Sequence, residues 1–434
     1  MLSKYVSSKT KAQENNKVAV IGAGIVGVNC ALALQMQGYQ VTLIDKLGIG
    51  EGCSRANAGH FATEQVFPLA DPSLLTQLPK MLIDPLGPVA LSPKHFIKAI
   101  PWFLAFFNNM RRTRRIHNSE AIKALNKHAI ACYKPILAAA NAEHLLVSKG
   151  SLLVFENTVY SKISAIHKQY QQAGIEVELL NRLEVLKLEP NLSQKINHAL
   201  FFKDVAHTPD PLAICLALAE KAENLGMLTK KLTVESIAQS NNGVNINTVS
   251  EQLFFDHCVV ATGAYSKNLL ADLGYRLPIE AERGYSLTLA MNEQELPILS
   301  RPVASAERKF IITPMDKTLR FSGTVEYAGL FAKANNKRAD MLMKSAEKVL
   351  VILPEPSKRE DKALGERWMG CRPSLPDSLP VICKAPQHSK IYFALGHQHL
   401  GLTQGAITGK LISQLINGQT TDIDLSPYCI SRFN

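Results

Sequence analysis

The chain has 434 residues, 46% hydrophobic and 20% charged, the proportions of a globular protein and not of a disordered or fibrous one. Forty-eight Lys and Arg against 37 Asp and Glu leave a net charge of +11. That excess draws anionic partners, but no interleaving of basic and aromatic residues accompanies it, which argues against nucleic acid.

The length calls for two or three domains, and no internal repeat is visible. Eight scattered cysteines without a C-x-x-C pair point to reduced thiols in a cytosolic protein, not to a disulfide framework or a zinc site. Residues 1–16 are polar, lack the apolar stretch of a signal peptide and read as a flexible tail. No uncharged apolar run is long enough to span a membrane.

The first element is a β-branched strand at 17–21, followed at once by Gly22-Ala23-Gly24-Ile25-Val26-Gly27. A helical stretch at 28–36 and a second strand at 40–44 follow, closing on Asp45. This is the strand–turn–helix–strand–acid order of a dinucleotide fold. Gly22 permits the tight turn, Gly24 lets backbone approach a pyrophosphate, and Gly27 allows helix to pack on strand. The helix N-terminus supplies free N–H groups to the phosphates. Asp45 accepts the ribose hydroxyls and disfavours a 2′-phosphate.

Residues 48–59 form a loop of small and hydroxyl side chains in which Ser54, Asn57, Ala58 and Gly59 suit a pyrophosphate or ribityl chain. The apolar segment 96–110, interrupted by Lys98 and Pro101, runs into Arg111, Arg112, Arg114 and Arg115. It reads either as a buried helix or as a segment resting on an anionic membrane face. Strands are expected at 151–155 and 320–325. Residues 255–263 read as a hydrophobic strand ending in Ala-Thr-Gly, with Thr262 and Gly263 in a turn where backbone passes close to a cofactor. Residues 391–401 read as a strand leading into glycines, with a helix from about Leu402 whose N-terminus would stabilise negative charge on a reduced flavin. A ligand that draws on segments near 20, 50, 260 and 400 is extended, which favours FAD over a nicotinamide cofactor.

With these segments in order, the chain resembles the D-amino acid oxidase-type FAD superfamily, and within it the bacterial D-amino acid dehydrogenases. The resemblance rests on GAGIVG with Asp45, Ser-x-x-Asn-Ala-Gly at 54–59, Arg-Gly-Tyr-Ser-Leu-Thr at 283–288, Trp-Met-Gly-Cys-Arg-Pro at 368–373 and the 396–401 segment. Gly-His-Phe-Ala-Thr-Glu-Gln at 59–65 and Gly-His-Gln-His-Leu-Gly at 396–401 resemble a subgroup that includes D-hydroxyproline dehydrogenases.

The resemblance implies an α/β fold, a Rossmann-like FAD-binding domain interleaved with a mixed β-sheet substrate domain. The FAD-binding part would comprise 17–95, 205–265 and 365–434, the substrate part 145–204 and 266–364, and a helical insertion 96–144. Beyond the glycine motif, Asp45 and the 54–59 loop, it implies FAD contacts at Ile25, Val26, Lys46, Val234, Thr262, Gly263, Gly396, His399, Leu400, Gly401, Leu402 and Thr403. The implied reaction moves a hydride from the α-carbon of a D-amino acid, D-proline or 4-hydroxy-D-proline to flavin N5, with electrons passed to a quinone or other carrier. An oxygen-using amino acid or sarcosine-type oxidase, and a flavin-dependent RNA-modifying enzyme, are the alternatives. The expected location is the cytoplasm, with peripheral contact on the inner membrane face.

Such chemistry is mostly alignment, so the protein must grip the substrate carboxylate and exclude water. An arginine fork pairs with both carboxylate oxygens. The resemblance makes Arg372 the first candidate for this grip, since it occupies the Arg-Pro position that binds substrate carboxylate in related amine oxidases, with Arg283 and Tyr285 next. His397 is a candidate proton acceptor, less so His60 and His399. No metal is expected, since the His-x-His at 397–399 has no partner at ligand spacing.

Overall fold

Lys17–Ile21 is a strand with four of its five residues buried, and it occupies the middle of a sheet. The computed structural model describes residues 16–76, 87–291, 297–353 and 365–433, so the expected tail lies outside it apart from Asn16. Among these residues the sheet runs Val381–Lys384, Ile391–Leu395, His257–Val260, Lys17–Ile21, Gln40–Asp45, Leu228–Lys231. Every neighbouring pair is parallel except the first, which is antiparallel.

The helix Ile25–Met36 follows the glycine turn and begins three residues earlier than the apolar stretch suggested. It packs against Gly401–Ile416, and two glycines make that approach possible. A Cβ on Gly409 would lie 2.5 Å from the Asn29 carbonyl oxygen, and one on Gly405 2.7 Å from the Tyr133 hydroxyl. The largest apolar core lies between these helices, Pro211–Asn224 and the sheet.

A second, mixed sheet runs Glu366–Ser374, Glu280–Ala290, Thr318–Tyr327, Phe310–Pro314, Val303–Ser305, Ser151–Phe155, His198–Phe202, Glu178–Asn181, with Val89–Leu91 alongside Thr318–Tyr327. Strand pairing therefore crosses the expected division of the chain at two places. Val89–Leu91 and Glu366–Ser374, both assigned to the nucleotide half, pair with strands of the mixed sheet.

The stretch 255–263 is not one strand. Gln252–Phe255 closes a three-stranded antiparallel sheet, and His257–Val260 joins the parallel one. The break falls at Asp256, whose carboxylate accepts the Lys17 N–H at 2.8 Å and so anchors the edge between the two sheets.

The segment 96–144 forms three helices, Pro93–Asn108, Arg112–Asn126 and Ala129–Ala139. The first is not a buried helix. Trp102 is its inward anchor, donating from Nε1 to the Ser374 carbonyl at 3.2 Å and stacking on Phe106, while Ile97 and Leu104 are 77% and 64% exposed. No described helix is long and apolar enough to cross a membrane.

Candidate active site

Loops at the carboxyl ends of the neighbouring strands Lys17–Ile21, His257–Val260 and Ile391–Leu395 open onto a cleft of about 410 Å³, the location where open parallel sheets bind ligands. Residues 24–26, 45–47, 51–54, 56–58, 261–265, 394–399 and 401–402 contribute to one side, and 284–286 and 368–373 of the mixed sheet to the other.

The glycine turn is built by close contact. Gly22 has φ +104°, and its N–H donates to the Ile44 carbonyl at 2.7 Å. A Cβ on Gly27 would lie 1.7 Å from the Gly22 carbonyl oxygen, so no other residue fits there. The helix that follows has Gly24 as N-cap, no side-chain cap and no acid in its first turn, which leaves its dipole to an anion. Ser54 Oγ accepts the Ile25 N–H at 2.9 Å and fixes the second loop to this helix start. Asp45 holds its own turn by accepting the N–H groups of Ala23 at 2.9 Å, Leu47 at 2.7 Å and Gly48 at 3.1 Å. The Lys46 ammonium sits 3.7 Å over the Tyr265 ring, a cation–π contact on the cleft wall. A second helix start, Gly401 with Leu402, lines the cleft, again without a side-chain cap or an acid in the first turn. Two helix starts without an N-cap side chain or a first-turn acid, and an acid closing the second strand, all lining one cleft, fit the expected FAD.

Most of the residues singled out in the sequence converge here. Gly24, Ile25, Val26, Asp45, Lys46, Ser54, Asn57, Ala58, Thr262, Gly263, Tyr285, Arg372, Gly396, His397, His399, Gly401 and Leu402 all line the cleft. Gly22, Gly27, Gly59, Leu400 and Thr403 stand behind it; the Thr403 hydroxyl, for example, accepts the Ala62 N–H at 3.0 Å. Val234 opens a strand of the small antiparallel sheet and packs against the second apolar core.

Arg283 does not line the cleft. It is fully buried, donates from Nη2 to the carbonyls of Ala332 and Lys333 at 2.9 and 3.0 Å, and pairs with Glu326 at 3.1 Å. The Tyr285 hydroxyl is spent on the same structure, donating to Glu326 at 2.6 Å and accepting the Asn335 N–H at 3.0 Å. Burial, with Glu326 as acceptor, pushes it up to about 12. Tyr285 thus offers the cleft a ring and not a free hydroxyl.

Arg372 is different. Strand register sets it opposite Glu282, and Nη1 donates to Glu282 Oε1 at 2.9 Å. Its Nη2 and Nε have no protein partner among the described residues. A Cβ on Gly284 would lie 2.3 Å from Nη2, so glycine at 284 is what gives the guanidinium its place. Glu282 escaped the sequence reading, although period-two alternation puts it on the strand face of Gly284 and Ser286.

The three cleft histidines differ in chemistry. Burial pushes His397 down to about 3, and its Nε2 bonds the Thr408 hydroxyl at 2.9 Å. Burial likewise lowers His399 to about 4, with Nε2 donating to Gln65 Oε1 at 2.7 Å. His60 alone has a carboxylate behind it, Glu64 Oε1 at 2.9 Å from Nε2, while Nδ1 has no partner. Between the two lowered histidines Gln398 adopts φ +50° and is lashed down by its Nε2, which donates to the Leu375 carbonyl at 2.7 Å.

The depressed His397 carries a consequence for stability. The unfolded chain protonates this residue below about pH 6.5 while the folded chain does not, so stability falls as pH drops from there towards 3. At pH 5 the loss from His397 is on the order of 2 kcal/mol. Thermal unfolding midpoints should decline from pH 7 to pH 5, and His397→Gln should flatten that decline; equal slopes would refute the assignment.

Comparison with known proteins agrees with this geometry. A family model described as "FAD dependent oxidoreductase" (DAO) matches residues 17–415. A D-amino-acid oxidase of Bradyrhizobium diazoefficiens is 32% identical over 426 residues, 97% of this chain and 99% of its own length. A D-amino acid dehydrogenase of Vibrio vulnificus is 30% identical over 416 residues, 94% of this chain and 97% of its own. Among solved structures, glycine oxidase from Geobacillus kaustophilus superposes with a TM-score of 0.70 at 20% identity, covering 96% of this chain and 99% of that one.

Proposed function

This chain belongs to the DAO family of FAD-dependent oxidoreductases, and from that membership we propose that it is a cytoplasmic dehydrogenase of D-amino or imino acids. The observation that carries the substrate class is Arg372, a guanidinium on the cleft wall with one nitrogen tied to Glu282 and two left over. Those two are a fork for the carboxylate that every amino acid presents.

The residues around the cleft divide the work. The helix starts at 24–26 and 401–402 and the Asp45 carboxylate would hold FAD, which supplies a hydride acceptor when bound. Arg372 Nη2 and Nε bind the substrate carboxylate and so orient the α-carbon. The Tyr285 ring and Met369 keep water out. His60, which lines the cleft with Glu64 hydrogen-bonded to its Nε2, is the candidate acceptor of the amine proton. His397 and His399 are too weakly basic for that part, held down chiefly by burial.

The test is flavin bleaching in the absence of oxygen, with D-amino acids, L-amino acids, D-proline and cis-4-hydroxy-D-proline added separately. Bleaching by the D-series alone, slowed in His60→Gln, is the expected result. Bleaching by L-amino acids alone, or by none, would remove the substrate claim. The electrons then pass to a quinone or other carrier. The oxidase-named relative supports a second reading, in which admitted air restores the yellow colour within the turnover time.

A further inference from the structure

The helix Pro93–Asn108 is apolar on both sides, which a helix at a protein surface ordinarily is not. Ala99, Trp102, Phe103 and Phe106 face the protein, with Trp102 and Phe103 against the Tyr327 ring at 5.6 and 5.2 Å. Ile97, Ile100, Leu104 and Phe107, spaced three and four apart, are all exposed, at 77%, 37%, 64% and 39%. Nothing in the fold covers this second stripe among the described residues.

Along the chain the charge of this stretch has one sign. No Asp or Glu occurs in the sequence between Asp84 and Glu120, a stretch that holds Lys94, Lys98, Arg111, Arg112, Arg114 and Arg115. Arg115 pairs with Asp71, but Arg111, Arg112 and Arg114 are exposed. They sit at the N-terminus of Arg112–Asn126, whose first turn contains no acid, so the helix dipole opposes them. They also follow directly on the C-terminus of Pro93–Asn108, whose dipole favours cations, so the two helix ends offset and the exposed arginines present their charge to an external anion.

We propose that this face is a docking surface for an anionic phospholipid bilayer. Pro93–Asn108 would lie in the plane of the interface, its outer stripe among the acyl chains and the arginines at its C-terminal end on the headgroups. The same helix is bonded to the two strands that carry the cleft pair. Trp102 Nε1 donates to Ser374, and His95 pairs with Glu280 at 2.8 Å, each two residues along from Arg372 or Glu282. Docking thus brings the substrate-facing strands of the cleft to the membrane. The inference goes beyond the proposed reaction and does not depend on it.

The test uses the full chain with flavin bound and flotation with phosphatidylcholine vesicles made with and without phosphatidylglycerol. Binding is expected only to the anionic vesicles and should fall as salt is raised. Arg112→Glu with Arg114→Glu should weaken it by at least roughly fivefold per arginine. Ile97→Glu with Leu104→Glu should abolish it, and both variants should keep their flavin and their turnover with a soluble dye. Absence of wild-type binding at low salt, or undiminished binding by the Ile97/Leu104 variant, would overturn the proposal. So would a concentration-dependent dimer that this variant converts to monomer, since the stripe would then be covered by a second copy of the chain.

Discussion

Arg372→Ala is expected to lower kcat/KM for an amino acid substrate by roughly 10²–10⁴-fold, the loss of two charge-assisted hydrogen bonds to a carboxylate. The substitution has a second effect that must be separated from the first. Glu282 is 4% exposed and would be left as a buried carboxylate without its cation. The enzyme would therefore lose stability as well as activity. Arg372→Ala combined with Glu282→Gln removes the orphaned charge, and it should recover the unfolding midpoint without recovering turnover. Arg372→Lys keeps the charge but not the fork, and is expected to fall between wild type and alanine. Steady-state kinetics with a soluble acceptor, alongside thermal unfolding, reads both quantities. If the double variant regained activity together with stability, Arg372 would be a structural residue and no substrate ligand.

Gly27→Ala is expected to yield protein without flavin. The added methyl would meet the Gly22 carbonyl oxygen at 1.7 Å, and both groups belong to backbone. Gly22 cannot retreat, because its own Cα position is backed by the Ala261 carbonyl, 2.4 Å from where a Cβ would point. The helix start must tilt away from the strand, at a cost of about 2–4 kcal/mol, and the N–H groups that face the phosphates move with it. Visible absorbance per mole of protein should fall to a small fraction of wild type, and added FAD should not restore it. A yellow Gly27→Ala protein of normal stability would show that this turn tolerates the tilt and that the cofactor is held elsewhere.

How much of this could be read from the sequence depended on the distance over which each feature is decided. The turn at 22–27, the strands Lys17–Ile21 and Ser151–Phe155, and the helix beginning at Gly401 depend on neighbouring residues, and they appear where glycine placement and apolar alternation put them. The cleft position of Arg372 was also legible, since Trp-Met-Gly-Cys-Arg-Pro at 368–373 is one of the motifs that carry the family resemblance. Its partner Glu282 was not, because a contact between residues 90 apart is made by strand register and leaves no local mark. The same holds for Tyr285, whose hydroxyl is taken by Glu326, 41 residues on. The division of 255–263 at Asp256 is set by a bond to Lys17, 239 residues away. The segment 96–110 was ambiguous for a different reason: a helix apolar all round reads alike whether both faces are covered by protein or only one.

The central place of Lys17–Ile21 in its sheet sets a timetable for biosynthesis. This strand leaves the ribosome well before its partners, since one of its two neighbours is His257–Val260, and the helix after it packs on Gly401–Ile416. At ordinary elongation rates the nascent glycine turn waits roughly 20–80 s for the last wall of its binding cleft. During that interval an apolar strand and helix have no permanent partner, and flavin has nowhere to settle. Cofactor loading is therefore expected to wait until Gly401–Ile416 has emerged, and the cell must shield the glycine-turn segment until then.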